Sequence, residues 1–157
     1  MRTQKKRRKQ GKTDYKLRLG LLKSGLARIV IRKTNKYIIA QVVESDEAQD
    51  RVVAGVVSKE LLKHGWDEKY SGSLKSVPAG YFTGLLLGKK IGKEKEYILD
   101  IGMGIHLKAS RIYAVAKGLV DAGVKVRVSE SVFPDEKRLK GEHLKPEIKE
   151  MIGKVKI

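Results

Sequence analysis

The first 36 residues of this 157-residue chain carry most of its positive charge. They contain fourteen lysines or arginines and one acid, Asp14, and so hold +13 of the formal net charge of +17. Charges of one sign repel one another, and such a segment cannot build a core of its own. We therefore expect a basic arm that is neutralised by a polyanion and carried by a domain folded from the rest of the chain.

The composition outside the arm suits one compact domain. The chain is 41% hydrophobic and contains no cysteine, which excludes disulfides and thiolate metal sites. No apolar run approaches the ~18 residues that cross a bilayer, and the N-terminus lacks the apolar stretch of a secretion signal. We expect a soluble, intracellular protein that binds nucleic acid. An anionic membrane is the weaker alternative, because few large apolar residues precede Leu17.

Apolar periodicity and turn residues predict the order β-β-β-α-β-α-β after the arm. Residues 1–13 show no periodicity, and we expect them to be disordered until a partner binds. Thr13 or Asp14 is placed to cap the first helix, and Gly25 to end it. Asn35 tolerates the positive φ of a tight hairpin turn. The predicted strands are 26–33, 37–43, 51–57, 96–101 and 124–128, with a polar loop at 44–50; the predicted helices are 15–22, 58–64, 78–89 and 109–122.

This order predicts an α/β fold with a mixed sheet. Three consecutive strands form an antiparallel meander, and strand-helix-strand units add parallel strands with helices on both faces. That is the topology of the ribonuclease H-like three-layer fold. We expect three parts: a basic arm with a short helix (1–25), an α/β core (26–128) and a polar C-terminal extension (129–157) with a weak helical pattern at 148–152.

A metal-dependent nuclease of this fold is the enzyme alternative. Such an enzyme needs several carboxylates at strand ends to hold two Mg²⁺ ions. The first predicted strand contains no acid; Asp100 lies on the fourth strand and Asp121 late on a helix. We interpret Asp100 as a structural carboxylate that bonds to the backbone or to an arginine. The three histidines, His64, His106 and His143, are far apart, so we expect no metal site.

Two glycine patterns fall short of nucleotide-binding motifs. Residues 84–90 have the wrong spacing for a phosphate loop, and their glycines favour close helix packing instead. Residues 102–107 lack the third glycine of the dinucleotide fingerprint. The turn that they form precedes Lys108, Ser110 and Arg111 at a helix start, which is either a phosphate site or an ordinary turn.

Aromatic residues add possible base contacts. Trp66 and Tyr70 lie in a predicted loop at 66–77, where Trp66 either stacks on an unpaired base or covers the edge of the core. Tyr15 and Thr13 interleave with the charges of the arm and supply contacts beyond neutralisation. Arg28, Arg32 and Lys33 extend the basic surface onto the first strand.

Five blocks of sequence resemble the L-eighteen family of large-subunit ribosomal proteins. In order along the chain they are RRKQGKTDY at 7–15, TNKYIIAQ at 34–41, YFTGLL at 81–86, LDIG at 99–102 and GLVDAG at 118–123. The similarity runs over residues 5–135. It is to the archaeal type, which is related to the eukaryotic protein L-five, because the shorter bacterial form lacks the insertion at 65–78 and the tail after residue 128.

The resemblance implies a structural protein without catalysis or cofactors. Members of this family bind 5S ribosomal RNA and anchor it to large-subunit ribosomal RNA in the central protuberance, on a ribonuclease H-like fold. The implied partners are these RNAs and neighbouring large-subunit proteins, with no membrane and no small-molecule substrate, and the implied location is the cytoplasmic ribosome. The candidate RNA-binding residues are Arg7, Arg8, Lys9, Gly11, Lys12, Thr13, Tyr15, Lys16, Arg18, Arg28, Arg32, Asn35, Lys36, Lys108 and Arg111.

Overall fold

The computed structural model describes residues 3–46 and 49–157. Two residues of the arm, Met1 and Arg2, and two of the predicted 44–50 loop, Glu47 and Ala48, lie outside the described residues. The strands are β1 (Ala27–Lys33), β2 (Ile38–Asp46), β3 (Gln49–Val57), β4 (Glu96–Asp100) and β5 (Lys125–Arg127). The α-helices are α1 (Lys6–Lys9), α2 (Tyr15–Lys23), α3 (Val77–Lys90), α4 (Arg111–Asp121), α5 (Glu136–Leu139) and α6 (Pro146–Lys154). Within the described ranges, no helix is both long enough and apolar enough to cross a membrane.

The strands form one mixed sheet in the order β3-β2-β1-β4-β5. β1 pairs antiparallel with β2 and parallel with β4, so Arg28 lies opposite Val43 on one side and Ile98 on the other. β3 continues the meander antiparallel to β2, and β5 extends the sheet parallel to β4. The predicted mixed sheet, an antiparallel meander joined to parallel strands, is confirmed.

The two longest helices cover the same face of the sheet. α3 connects β3 to β4 and α4 connects β4 to β5, and both connections advance in the same direction across the sheet. Right-handed crossovers therefore place both helices on one face, which we call the helix face. Fully buried side chains from sheet and helices meet there, including Ile29, Ile31, Val56, Leu87, Val115 and Leu119. The opposite face, which we call the arm face, carries Arg28 and Arg32 and is covered in part by α2.

Glycines bring α3 and α4 into backbone contact. A Cβ atom on Gly84 would collide with the carbonyl oxygen of Val115, and one on Gly118 would collide with the carbonyl oxygen of Tyr81. Gly84 and Gly118 thus both lie at the interface between α3 and α4, where any side chain would push the two helices apart. This confirms that the 84–90 glycines serve helix packing.

The C-terminal segment packs against the core. Met151 and Ile152 of α6 are buried in the same cluster as Trp66. The Lys156 amide donates to the carbonyl oxygen of His64 at 3.2 Å. Trp66 is only 2% exposed, and its ring N–H donates to the carbonyl oxygen of Tyr70 at 3.3 Å. Of the two interpretations of Trp66, the structure supports a core-edge residue.

Several local predictions need correction. Residues 58–64 form a 3-10 helix, and a second one, Glu68–Ser73, lies in the predicted 66–77 loop. Among the described non-glycine residues only Ala109 has a positive φ. The prediction that Asn35 takes the positive φ of a tight hairpin turn is therefore wrong. Thr34 closes that hairpin instead: its amide donates to the carbonyl oxygen of Tyr37 at 2.9 Å, and its hydroxyl accepts from the Tyr37 amide at 2.9 Å.

The α3–α4 contact predicts opposite effects for two Gly-to-Ala substitutions. Gly118→Ala should destabilise the protein by about 3 kcal/mol or more, because backbone on both helices must move apart. Gly20→Ala, on the exposed side of α2 with no atom near the added Cβ, should stabilise it by about 0.5–1 kcal/mol through helix propensity. Urea unfolding measures both changes. Equal effects of the two substitutions would contradict the packing described here.

Candidate nucleic-acid interface

The root of the arm is fixed where α2 begins. Gly11 turns the chain with a φ of +61°, a value that favours glycine. Asp14 then caps α2, because its carboxylate accepts from the amides of Lys16 and Leu17 at 2.9 and 3.2 Å. Of the two predicted caps, Thr13 and Asp14, the structure thus selects Asp14. The cap sets the direction in which the basic residues before it leave the domain.

Local contacts organise the arm ahead of this cap. α1 forms a single turn of four basic residues, none of them buried, where the sequence predicted no regular structure. The Arg7 Nε–H donates to the Thr13 hydroxyl at 2.9 Å, and the Lys5 ammonium lies 4.7 Å from the centroid of the Tyr15 ring. These contacts are all within the arm and its root, so the charged side chains of α1 face solvent.

Asp50 ties α2 to the sheet. Its two oxygens accept from Arg18 at 2.9 Å and from Arg28 at 2.7 Å, and Ser45 donates to it at 2.7 Å. Partial burial would raise the pKa of Asp50, but the hydrogen bonds from Ser45, Arg18 and Arg28 outweigh it and lower that pKa. The carboxylate is therefore charged at neutral pH and holds both guanidinium groups in place.

Asp100 joins β1 to β4 beneath the arm. One of its oxygens accepts from Arg28 at 3.0 Å; the other accepts from Arg32 and from the Gly102 amide, each at 2.9 Å. This confirms the interpretation of Asp100 as a structural carboxylate. Arg28 is only 2% exposed, so the structure places it beneath the exposed basic residues and not among them. A direct contact between Arg28 and RNA stays an untested prediction, which this burial disfavours.

The two carboxylates of the nuclease alternative do not meet. Both oxygens of Asp100 are taken by arginines, whereas Asp121 lies at the far end of α4, about 16 Å along the helix from its start. There it accepts from Lys117 at 2.8 Å and from the Tyr81 hydroxyl at 3.1 Å. Burial and this bond raise the pKa of Tyr81 to about 12. Across the described residues, no three histidine or acidic side chains are grouped to hold a metal ion.

Basic side chains converge on two grooves at the C-terminal ends of β1 and β4. The arm groove lies between arm and sheet, and its polar lining includes Arg7, Lys12, Thr13, Asp14, Arg18, Arg32 and Asp100. The loop groove lies between β1 and the turn before α4, and its charged lining residues are Lys12, Arg32, Lys33, Arg111 and Arg138. Lys12 and Arg32 border both grooves. The loop groove therefore presents five cations and no carboxylate.

The turn before α4 retains the features that suggested a phosphate site. Ser110 occupies the cap position of α4 without a capping hydrogen bond, and its buried hydroxyl oxygen has no protein partner among the described residues. Arg111 borders the loop groove, whereas Lys108 is exposed outside its lining. Phosphate binding at this turn stays a prediction.

The structure places the remaining predicted residues on exposed surface. Arg8, Lys9 and Lys16 face solvent along the arm and α2, and Asn35 and Lys36 do so in the β1–β2 turn. Sequence reasoning missed Arg138, which α5 brings to the loop groove. Its signal was weak, because the short α5 buries only Leu139 and lies in a segment that the sequence predicted to be a polar extension.

Comparison with known proteins gives matches to large-subunit ribosomal proteins. A family model described as "Ribosomal large subunit proteins 60S L5, and 50S L18" matches residues 1–97. The large ribosomal subunit protein uL18 of Korarchaeum cryptofilum is 48% identical over 141 residues, which cover 88% of this chain and 70% of that protein. The proteins of the same name from Methanococcus maripaludis and Methanoculleus marisnigri are each 45% identical, over 89% and 88% of this chain and 72% and 78% of their own lengths.

The ion pairs of Asp50 with Arg18 and Arg28 should make a pH-dependent contribution to stability. The folded pKa of Asp50 lies below its ordinary value of 3.8, so the stabilisation is complete above that value and is lost as the pH falls through the folded pKa. Asp50→Asn should therefore lower the free energy of unfolding at pH 7, by on the order of 1 kcal/mol for this partly exposed group. The difference from the native protein should shrink on acidification below pH ~4.

Urea unfolding at pH 7 and pH 3 measures this change. Asp46→Asn removes an exposed acid from the same hairpin and serves as the matched control for net charge. A difference between Asp50→Asn and the native protein that is as large at pH 3 as at pH 7 would contradict the assignment.

Proposed function

Because the chain belongs to the family of large ribosomal subunit protein uL18, we propose that it binds 5S ribosomal RNA and helps to anchor it to large-subunit ribosomal RNA in the central protuberance. The family matches confirm the resemblance seen in the sequence, and with it a structural role in the large ribosomal subunit. The proposal extends that role to a particular RNA and to a particular surface of the protein.

The observation that carries the proposal is the uncompensated charge of the arm and of the grooves at its root. The arm holds no acid before Asp14, and the carboxylate of Asp14 is engaged by the α2 cap. Lys12 continues this charge into both grooves, next to Arg32. Cations that neutralise phosphates release the counterions condensed on the RNA, and this release supplies a large share of the affinity for RNA.

The arm also has groups that distinguish RNA from a uniform polyanion. Tyr15, at the start of α2, presents an aromatic ring for stacking on an unpaired base, and the Thr13 hydroxyl is suited to sugar or phosphate oxygens. The capped start of α2 fixes the position of both side chains relative to the sheet. Phosphate contacts would therefore set the register, and these groups would add the preference for one RNA.

Binding of this kind needs no reaction step and no cofactor. Fixed cations and a stacking ring act by position and charge alone. We propose that the protein is ribosome-bound in the cytoplasm, with neighbouring large-subunit proteins as its other partners.

Salt dependence tests the proposed surface. Arg8→Ala and Lys12→Ala should each weaken binding to 5S ribosomal RNA and make the slope of log K against log salt shallower by about one unit, because each removes one phosphate contact. Fluorescence anisotropy of a labelled 5S transcript across a salt series measures both quantities.

Lys149→Ala is the matched control. Lys149 is an exposed lysine of α6, which packs with the helix-face core. It lines neither the arm groove nor the loop groove, so its removal should change the slope little. Slopes for Arg8→Ala and Lys12→Ala that equal the slope for the native protein would contradict the proposed surface.

A further inference from the structure

Two arginines form ion pairs with Asp100, and only Arg32 reaches solvent: its side chain is 44% exposed, against 3% for Arg28. The cluster formed with Asp50 contains three arginines and two carboxylates. One positive charge therefore stays uncompensated within it. Of the two arginines at the ends of this network, Arg32 is the more exposed, at 44% against 33% for Arg18, and only Arg32 borders both grooves.

Most of the hydrogen-bonding capacity of Arg32 is used to hold its guanidinium group in place. Nη1 donates to the carbonyl oxygens of Ile31 and Asp100 at 2.9 and 2.8 Å. Nη2 donates to Asp100 Oδ1 at 2.9 Å. A guanidinium group has five N–H donors, so two have no partner among the described residues: Nε–H and the second hydrogen of Nη2. Because Asp100 occupies the end between Nη1 and Nη2, the two free donors lie together along the Nε side.

Gly102 covers one face of the same guanidinium group. A Cβ atom on Gly102 would lie 2.9 Å from Cζ of Arg32, and 3.1 and 3.2 Å from Nη2 and Nε. An atom 2.9 Å from Cζ on that side but within the guanidinium plane would be closer to Nη2 and Nε than to Cζ. The Cβ position is farther from both nitrogens than from Cζ, so it lies over the face of the guanidinium group. Only a residue without a side chain lets the Arg32 plane lie against this turn.

We propose that Arg32 is a preorganised receptor for one RNA phosphate, which it binds through Nε–H and the free Nη2–H. Two parallel N–H donors on a planar cation match two phosphate oxygens. The three bonds within the protein and the contact with Gly102 fix the plane before RNA arrives, so little side-chain entropy is lost on binding. The inference rests on the proposed RNA-binding function and assigns this residue a specific role within it.

Two substitutions of Arg32 separate the shape of the group from its charge. Arg32→Lys keeps the charge but loses the paired donors; we expect affinity for a 5S ribosomal RNA transcript to fall roughly fivefold or more, with the salt slope unchanged. Arg32→Ala should lose affinity and also make the slope shallower by about one unit. Arg51→Lys, at an exposed arginine of the edge strand β3, is the matched control and should bind like the native protein.

A pair of glycine substitutions tests the covered face independently. Gly102 and Gly25 have nearly the same φ, +63° and +66°, but an added Cβ meets Arg32 only at Gly102 and open space at Gly25. Gly102→Ala and Gly25→Ala therefore carry the same backbone strain, and only the first displaces the guanidinium plane. We expect Gly102→Ala to weaken binding as Arg32→Lys does and Gly25→Ala to leave it near the native value.

The possible outcomes distinguish this inference from the function on which it rests. A native protein that does not bind the 5S transcript contradicts the proposed function. Native binding with an unchanged affinity for Arg32→Lys contradicts the phosphate receptor alone. An Arg32→Ala variant that loses affinity but keeps the native slope would also overturn it, because stacking on an uncharged base, and not phosphate binding, would then be the contact.

Discussion

Arg28 and Asp100 form a buried ion pair between β1 and β4, the two strands that join the antiparallel meander to the parallel half of the sheet. Taking both groups out of water is costly, and removal of one partner would leave an uncompensated buried charge, at a cost of about 3–5 kcal/mol. Further hydrogen bonds offset the cost of burying the pair. Arg28 also donates to Asp50 and Ser45, and Asp100 also accepts from Arg32. Since Asp50 also holds Arg18 of α2, one network sets the positions of the meander, the parallel strands and the root of the arm.

This network also determines what the arm face can do. An acid at the C-terminal end of β4 is where a nuclease of this topology would hold a metal ion, but here arginines neutralise the carboxylate of Asp100. The outcome is a surface with fixed positive charge at the ends of β1 and β4, next to a basic segment whose root is set by the Asp14 cap of α2. A rigid base with an exposed arm suits a protein that recognises a large folded RNA through many phosphates.

Much of this arrangement could be predicted from the sequence, because local patterns dictate it. Periodicity gave the order of strands and helices, the short hairpins and crossover helices gave the mixed sheet, and the lone acid on β4 suggested a structural carboxylate. The burial of Arg28 could not be predicted, since it depends on Asp50 and Ser45 reaching across the sheet. The packing of α6 on Trp66 and the position of Arg138 at the loop groove are likewise long-range contacts, which a single sequence does not reveal.

We propose that the arm face with its two grooves binds RNA and that the RNA it binds is 5S ribosomal RNA. Ultraviolet crosslinking of the protein within ribosomes, followed by identification of the crosslinked peptides and of the attached RNA, examines both parts of this proposal at once. We expect crosslinks to 5S ribosomal RNA in residues 7–18 and 32–36 and in the turn that precedes α4. Crosslinks concentrated on α3, α4 and α6, or an arm joined to RNAs that do not include 5S, would show that the proposed surface or its proposed target is wrong.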